Sequence, residues 1–104
     1  MKPKHAKTTT NNQKAESDLY EAFSLIKSKE EAKLFFEDLC TPNELQAMAD
    51  RWRVIPLIKK GIPYRTIYEQ TGVSVTTIGR VARCLTQGGG GYDLIFDRFG
   101  KKKS

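Results

Sequence analysis

Between Pro63 and Leu85 lie two short segments with apolar residues at helical spacing. Ile67 and Tyr68 form the inward face of the first, and Ile78, Val81, Ala82 and Leu85 that of the second. Only Thr71-Gly72-Val73-Ser74 separates them. Gly72 can take the left-handed conformation that ends a helix, and Ser74 can accept from the first free N–H groups of the next. A linker this short predicts two helices locked together by Ile67, Val73, Ile78 and Val81, the sequence form of a helix-turn-helix. The pattern is moderately specific, since helix pairs with a glycine turn occur in many proteins.

Such a pair pushes the first turn of its second helix outward. That turn carries Val75, Thr76, Thr77, Gly79 and Arg80. Small side chains let a helix approach base edges in the major groove of DNA. Threonine can hydrogen-bond a base or touch a thymine methyl, and arginine can bind guanine or a phosphate. The residues expected at a DNA interface are Arg65 and Thr66 from the first helix, then Ser74, Val75, Thr76, Thr77, Gly79, Arg80 and Arg83.

Upstream, Thr41-Pro42-Asn43-Glu44 is a clear helix start, with a capping threonine, proline in the first position and a glutamate reaching back. Leu45, Met48, Trp52 and Ile55 continue this helix to about Lys60, with a kink at Pro56 and a stop at Gly61. Before it, Leu19, Ala22, Phe23 and Ile26 mark one helix. Ser28-Lys29-Glu30-Glu31 restarts a second, carrying Ala32, Phe35, Phe36 and Leu39. Both are apolar over more than one face, which predicts burial against a second subunit, with a well-filled monomer core as the alternative. Residues 1–14 are polar and aperiodic, and are expected to form a disordered basic arm. Gly88 to Gly91 break the chain before a short helix over residues 92–99, with Leu94, Ile95 and Phe99 available for packing. Residues 100–104 form a basic tail expected to fray.

The net charge of +6 is unevenly placed. Residues 1–40 hold seven Lys and seven acidic residues, whereas residues 41–104 hold eleven Lys/Arg against five Asp/Glu. A basic C-terminal half suits a polyanion. Arg51, Arg53, Lys59 and Lys60 are further candidates for phosphate contact. His5 is the only histidine and lies in the arm, so no His-based triad or metal site is expected, and the chain reads as a non-enzyme. Cys40 and Cys84 have no metal-ligand spacing. No signal-peptide pattern or membrane span is apparent, so a cytoplasmic protein is expected.

The stretches LCTPNELQAMADRWRV, GVSVTTIGRVARCL and RCLTQGGGGYDLIFDR resemble the Trp repressor family, most of all its YerC/YecD branch. The resemblance covers residues 16–99. It implies an all-α fold of six helices, an intertwined homodimer, and a transcriptional repressor on a palindromic double-stranded DNA operator, linked to genes of amino-acid biosynthesis. In that arrangement the fourth helix braces the fifth, which enters the major groove, with two reading heads about 34 Å apart.

The family's amino-acid corepressor lies between two arginines, matched here by Arg51 and Arg80, with Thr41 nearby. The glycine that leaves room for an indole is matched by Val81, and a serine that holds the amino group by Cys84. A branched side chain at 81 fills that space and argues against tryptophan, leaving the identity of any corepressor unassigned. Two other functions fit parts of the pattern: a non-specific nucleic-acid binder, and a protein-interaction module without DNA contacts.

Overall fold

The computed structural model describes the backbone of residues 2–103 and the side chains of residues 11–102. Every regular element among them is helical: α1 (Lys2–Ser24), α2 (Lys29–Leu39), α3 (Pro42–Arg53), α4 (Ile55–Lys59), α5 (Tyr64–Thr71), α6 (Val75–Gln87) and α7 (Gly91–Lys103). Counting α3 and α4 as one interrupted helix gives the expected six. The chain divides into two compact units, residues 1–41 and 42–104.

In the first unit, α1 is helical from Lys2, through residues where an irregular arm is expected. Residues 11–14 are exposed, and the Lys14–Asp18 pair at 3.1 Å lies along the same helix. The side chains of residues 1–10, including His5, lie outside the described residues, as does Ser104. Helix α2 starts as its sequence requires. Ser28 Oγ accepts from the Glu31 N–H at 3.0 Å, while the Glu31 carboxylate accepts from the Lys27 N–H at 2.9 Å, one residue before the usual partner in a capping box.

Phe23 of α1 meets Phe35 and Phe36 of α2 edge-on, with ring centroids 5.8 and 5.4 Å apart. No described residue of this unit is fully buried, and Leu25 and Leu34 are 68% and 67% exposed. These two helices have an aromatic contact but no closed core.

The second unit has one. Val54, Ile55, Ile67, Val73, Ile78 and Val81 are buried together, flanked by Trp52, Leu57, Ile58, Ile62, Leu85, Tyr92 and Phe96. Pro56 accounts for the break between α3 and α4. It cannot donate to the carbonyl four residues back, and its ring crowds that carbonyl, so the helix opens at Val54. Gly61, at φ +78°, then turns the chain toward α5.

Two inward faces differ from expectation. Tyr68 is 51% exposed, because Ile67 alone occupies the inner position of the eight-residue α5. In α7, Leu94 and Ile95 face outward at 51% and 48% exposure. Tyr92 and Phe96, one helical turn apart, take the inner positions. The Trp52 indole meets Phe96 and Phe99 edge-on, at 6.1 and 5.7 Å. Helix α7 also continues to Lys103, past the point where fraying is expected.

Candidate nucleic-acid interface

The turn between α5 and α6 is built by local hydrogen bonds. Gly72 adopts φ +79° as the cap of α5, and its N–H donates to the Tyr68 carbonyl at 2.7 Å. Thr71 Oγ1 donates to the Ile67 carbonyl at 2.7 Å and accepts from the Val73 N–H at 3.1 Å. Val73 then plugs into the core at 3% exposure. Ser74 caps α6 by accepting from the Thr77 N–H at 3.1 Å. The two helices are thus fixed from below by apolar packing and at the turn by three side chains and a glycine.

Helix α6 is divided lengthwise. Ile78 and Val81 are fully buried. Val75 is 49% exposed, and Thr76, Arg80 and Arg83 are exposed beside it. Neither Arg80 nor Arg83 forms an ion pair among the described residues. Two uncommitted guanidinium groups flank a first turn of small side chains. That surface can accept an anionic backbone and offer donors to base edges.

Thr77 is placed differently from expectation. It is half-buried, and its hydroxyl accepts from Ser74 Oγ at 3.0 Å, so it serves the cap as well as the surface. Gly79 is half-buried beside the Tyr64 ring. Arg65 is exposed and lies 3.7 Å from Glu69 one turn along α5. Thr66 is half-buried. Thr71, Tyr64 and Tyr68 were not singled out by sequence as parts of this surface. The double hydrogen bond of Thr71 across a glycine turn is the one of these with a readable local signal.

The residues expected around an amino-acid ligand divide similarly. Arg51 and Cys84 are half-buried and Arg80 is exposed. Val81 is fully buried as part of the hydrophobic core, so the volume a glycine would leave there is filled. Thr41 belongs to the other unit. Among the described residues no cluster of His, Cys, Asp or Glu could hold a metal, and no helix is long and apolar enough to cross a membrane.

This architecture has close counterparts. Residues 15–99 match the family described as Trp repressor protein. The chain is 41% identical over 80 residues to the YerC protein of Bacillus subtilis (strain 168), covering 77% of each sequence. It is similar to the crystal structure of a candidate Trp repressor from Staphylococcus aureus, with a TM-score of 0.77 and 41% identity. That match covers 83% of this chain and 86% of the other. A TrpR-like protein from Eubacterium eligens ATCC 27750 aligns at a TM-score of 0.77 and 40% identity, over 84% of this chain and 90% of its own. The chain therefore belongs to the Trp repressor family.

Proposed function

We propose that this protein is a sequence-specific DNA-binding repressor of transcription that acts as a homodimer on a two-fold symmetric operator. The single observation that carries the reading is the first turn of α6. Val75, Thr76 and Arg80 project from a helix whose opposite face is anchored by fully buried Ile78 and Val81. A rigid helix with small residues and a free guanidinium at its exposed N-terminal end is suited to the major groove. Arg83, and Arg65 on α5, are exposed and would supply the phosphate contacts that position it.

The homodimer rests on the first unit. Tyr20, Leu25, Leu34 and Leu39 are exposed on a helix pair without a closed core. A second copy of the same pair would bury these faces, and two-fold pairing would duplicate the reading helix. Family membership favours a repressor, and the YerC-like branch points to genes of amino-acid biosynthesis in the cytoplasm. The resemblance would hold a corepressor between Arg51 and Arg80, and the valine that stands at 81 where the family has glycine disfavours a side chain as large as tryptophan's.

Selection of bound sites from random duplex DNA at about 150 mM salt tests the reading, with and without added amino acids. Enrichment of a palindromic motif with half-sites about one helical turn apart is expected. Binding without enrichment that disappears as salt rises would identify a non-specific binder. No binding even at low salt would identify a protein-interaction module.

A further inference from the structure

Tyr64 opens α5 with a large ring left 41% exposed, beside the flank of α6. A Cβ placed on Gly79 would lie 4.0 Å from Tyr64 Cε2, its only neighbour within that range. Gly79 has an ordinary helical backbone, so its glycine is not required by conformation. A Cβ there makes ordinary van der Waals contact with the tyrosine ring, and a longer side chain would take up space beside it. Together Tyr64, Gly79, Ala82, Arg83 and Thr86 line a shallow, open cleft of about 340 Å³.

Two of the three polar side chains of that cleft, Tyr64 and Arg83, fit an anion. Arg83 supplies a guanidinium with no ion pair among the described residues, and Tyr64 supplies a phenolic donor. Thr86 directs its hydroxyl toward the Arg83 and Ala82 carbonyls at 3.2 and 3.4 Å, which leaves its oxygen lone pairs but no second proton. No carboxylate lines the cleft. Its floor is the small pair Gly79 and Ala82, so a tetrahedral group can approach the helix flank closely. The cleft adjoins the exposed turn of α6 that carries Arg80, and a duplex seated on that turn would bring its backbone alongside.

We propose that this cleft seats one phosphate of the DNA backbone, clamped between the Tyr64 hydroxyl and the Arg83 guanidinium, with Gly79 as the residue that keeps it open. The inference rests on the DNA-binding reading above and assigns Tyr64 a contact in it. Charge-assisted hydrogen bonds of this kind are short and strong, and a phosphate offers acceptors to both donors at once. Tyr64 then positions the protein without reading sequence.

The test replaces single phosphates of the selected operator, one at a time, with neutral methylphosphonates. Binding is measured for the full chain, Tyr64→Phe and Arg83→Gln. Tyr64→Phe keeps the ring against Gly79, so its thermal melting should match the parent. On unmodified DNA, Tyr64→Phe is expected to bind about tenfold more weakly, by the same factor on every sequence. Arg83→Gln should lower the slope of log affinity against log salt by about one, and Tyr64→Phe should leave that slope unchanged. One methylphosphonate position per half-site should weaken the parent strongly and both variants little. Tyr64→Phe binding as tightly as the parent, or losing equally at every methylphosphonate position, overturns the clamp while the DNA-binding reading stands. A parent that binds no DNA even at low salt overturns both.

Discussion

Lys59 Nζ lies 2.6 Å from Asp93 Oδ1 and 5.4 Å from the centre of the Phe96 ring, so one lysine joins α4 to two successive turns of α7. The partners are 34 residues apart, and the four glycines Gly88 to Gly91 lie between them. Trp52 grips the same helix through Phe96 and Phe99. The placement of α7 thus depends on aromatic packing reinforced by one lysine at the edge.

That lysine should contribute modestly. Its side chain and that of Asp93 are 37% and 47% exposed, so water and salt screen the pair. A double-mutant cycle with Lys59→Met and Asp93→Asn is expected to give a coupling of about 0.5 kcal/mol in urea denaturation at low salt. At about 1 M NaCl the coupling should be nearly gone. A coupling that persists undiminished would mean the contact is held by packing and not by charge.

The glycines before α7 are not equivalent. A Cβ on Gly88 would lie 2.5 Å from the Cys84 carbonyl oxygen and 3.3 Å from two further backbone atoms of Cys84. The Gly88 N–H also donates to that carbonyl, at 2.9 Å. Gly88→Ala must therefore distort the end of α6, at a cost of about 1–3 kcal/mol. A Cβ on Gly89 meets nothing within 4 Å, and Gly89→Ala should stay within about 0.5 kcal/mol of the parent. Equal effects in chemical denaturation would contradict this close approach.

Much of the central unit is legible in the sequence, because short-range chemistry specifies it. Gly72 and Ser74 each have a local reason to stand where they do, and Ile67, Val73, Ile78 and Val81 close the core that their spacing predicts. Pro56 marks a helix break to within two residues, at Val54. The inner faces of short helices are less determined. Eight residues of α5 offer both Ile67 and Tyr68 as candidates, and packing against α6 selects only the first. In α7 the same ambiguity hides Phe96 behind Leu94 and Ile95. The Lys59–Asp93 pair carries no local signal, since nothing near either residue announces the other. Thr77 reads as an exposed donor, yet the geometry of the cap uses its hydroxyl.

Val81 gives a test of ligand preference. It is fully buried among core residues, and Val81→Gly would remove its side chain and place glycine inside a helix. The loss should be about 3 kcal/mol or more. The void this substitution leaves corresponds to the volume that the family's glycine keeps open, so added tryptophan should raise the variant's melting temperature by mass action. The parent's melting temperature should not respond to tryptophan. A rise in the parent would show that Val81 does not block an indole.

The reading surface itself is tested by two cationic residues of unlike placement. Arg80 is exposed on the first turns of α6, without an ion pair among the described residues, whereas Lys102 lies near the end of α7. Arg80→Ala should weaken binding to the selected operator by about 1–3 kcal/mol and relax base preference at one position of each half-site. Neither substitution removes a buried group, so melting temperatures should stay near that of the parent. Lys102→Ala should weaken binding slightly and equally on all sequences, since a distant charge acts only through the general field. Titration of both variants on operator and scrambled DNA separates these outcomes. If the two variants lose affinity equally on both DNAs, Arg80 contributes charge alone and α6 does not read bases through it.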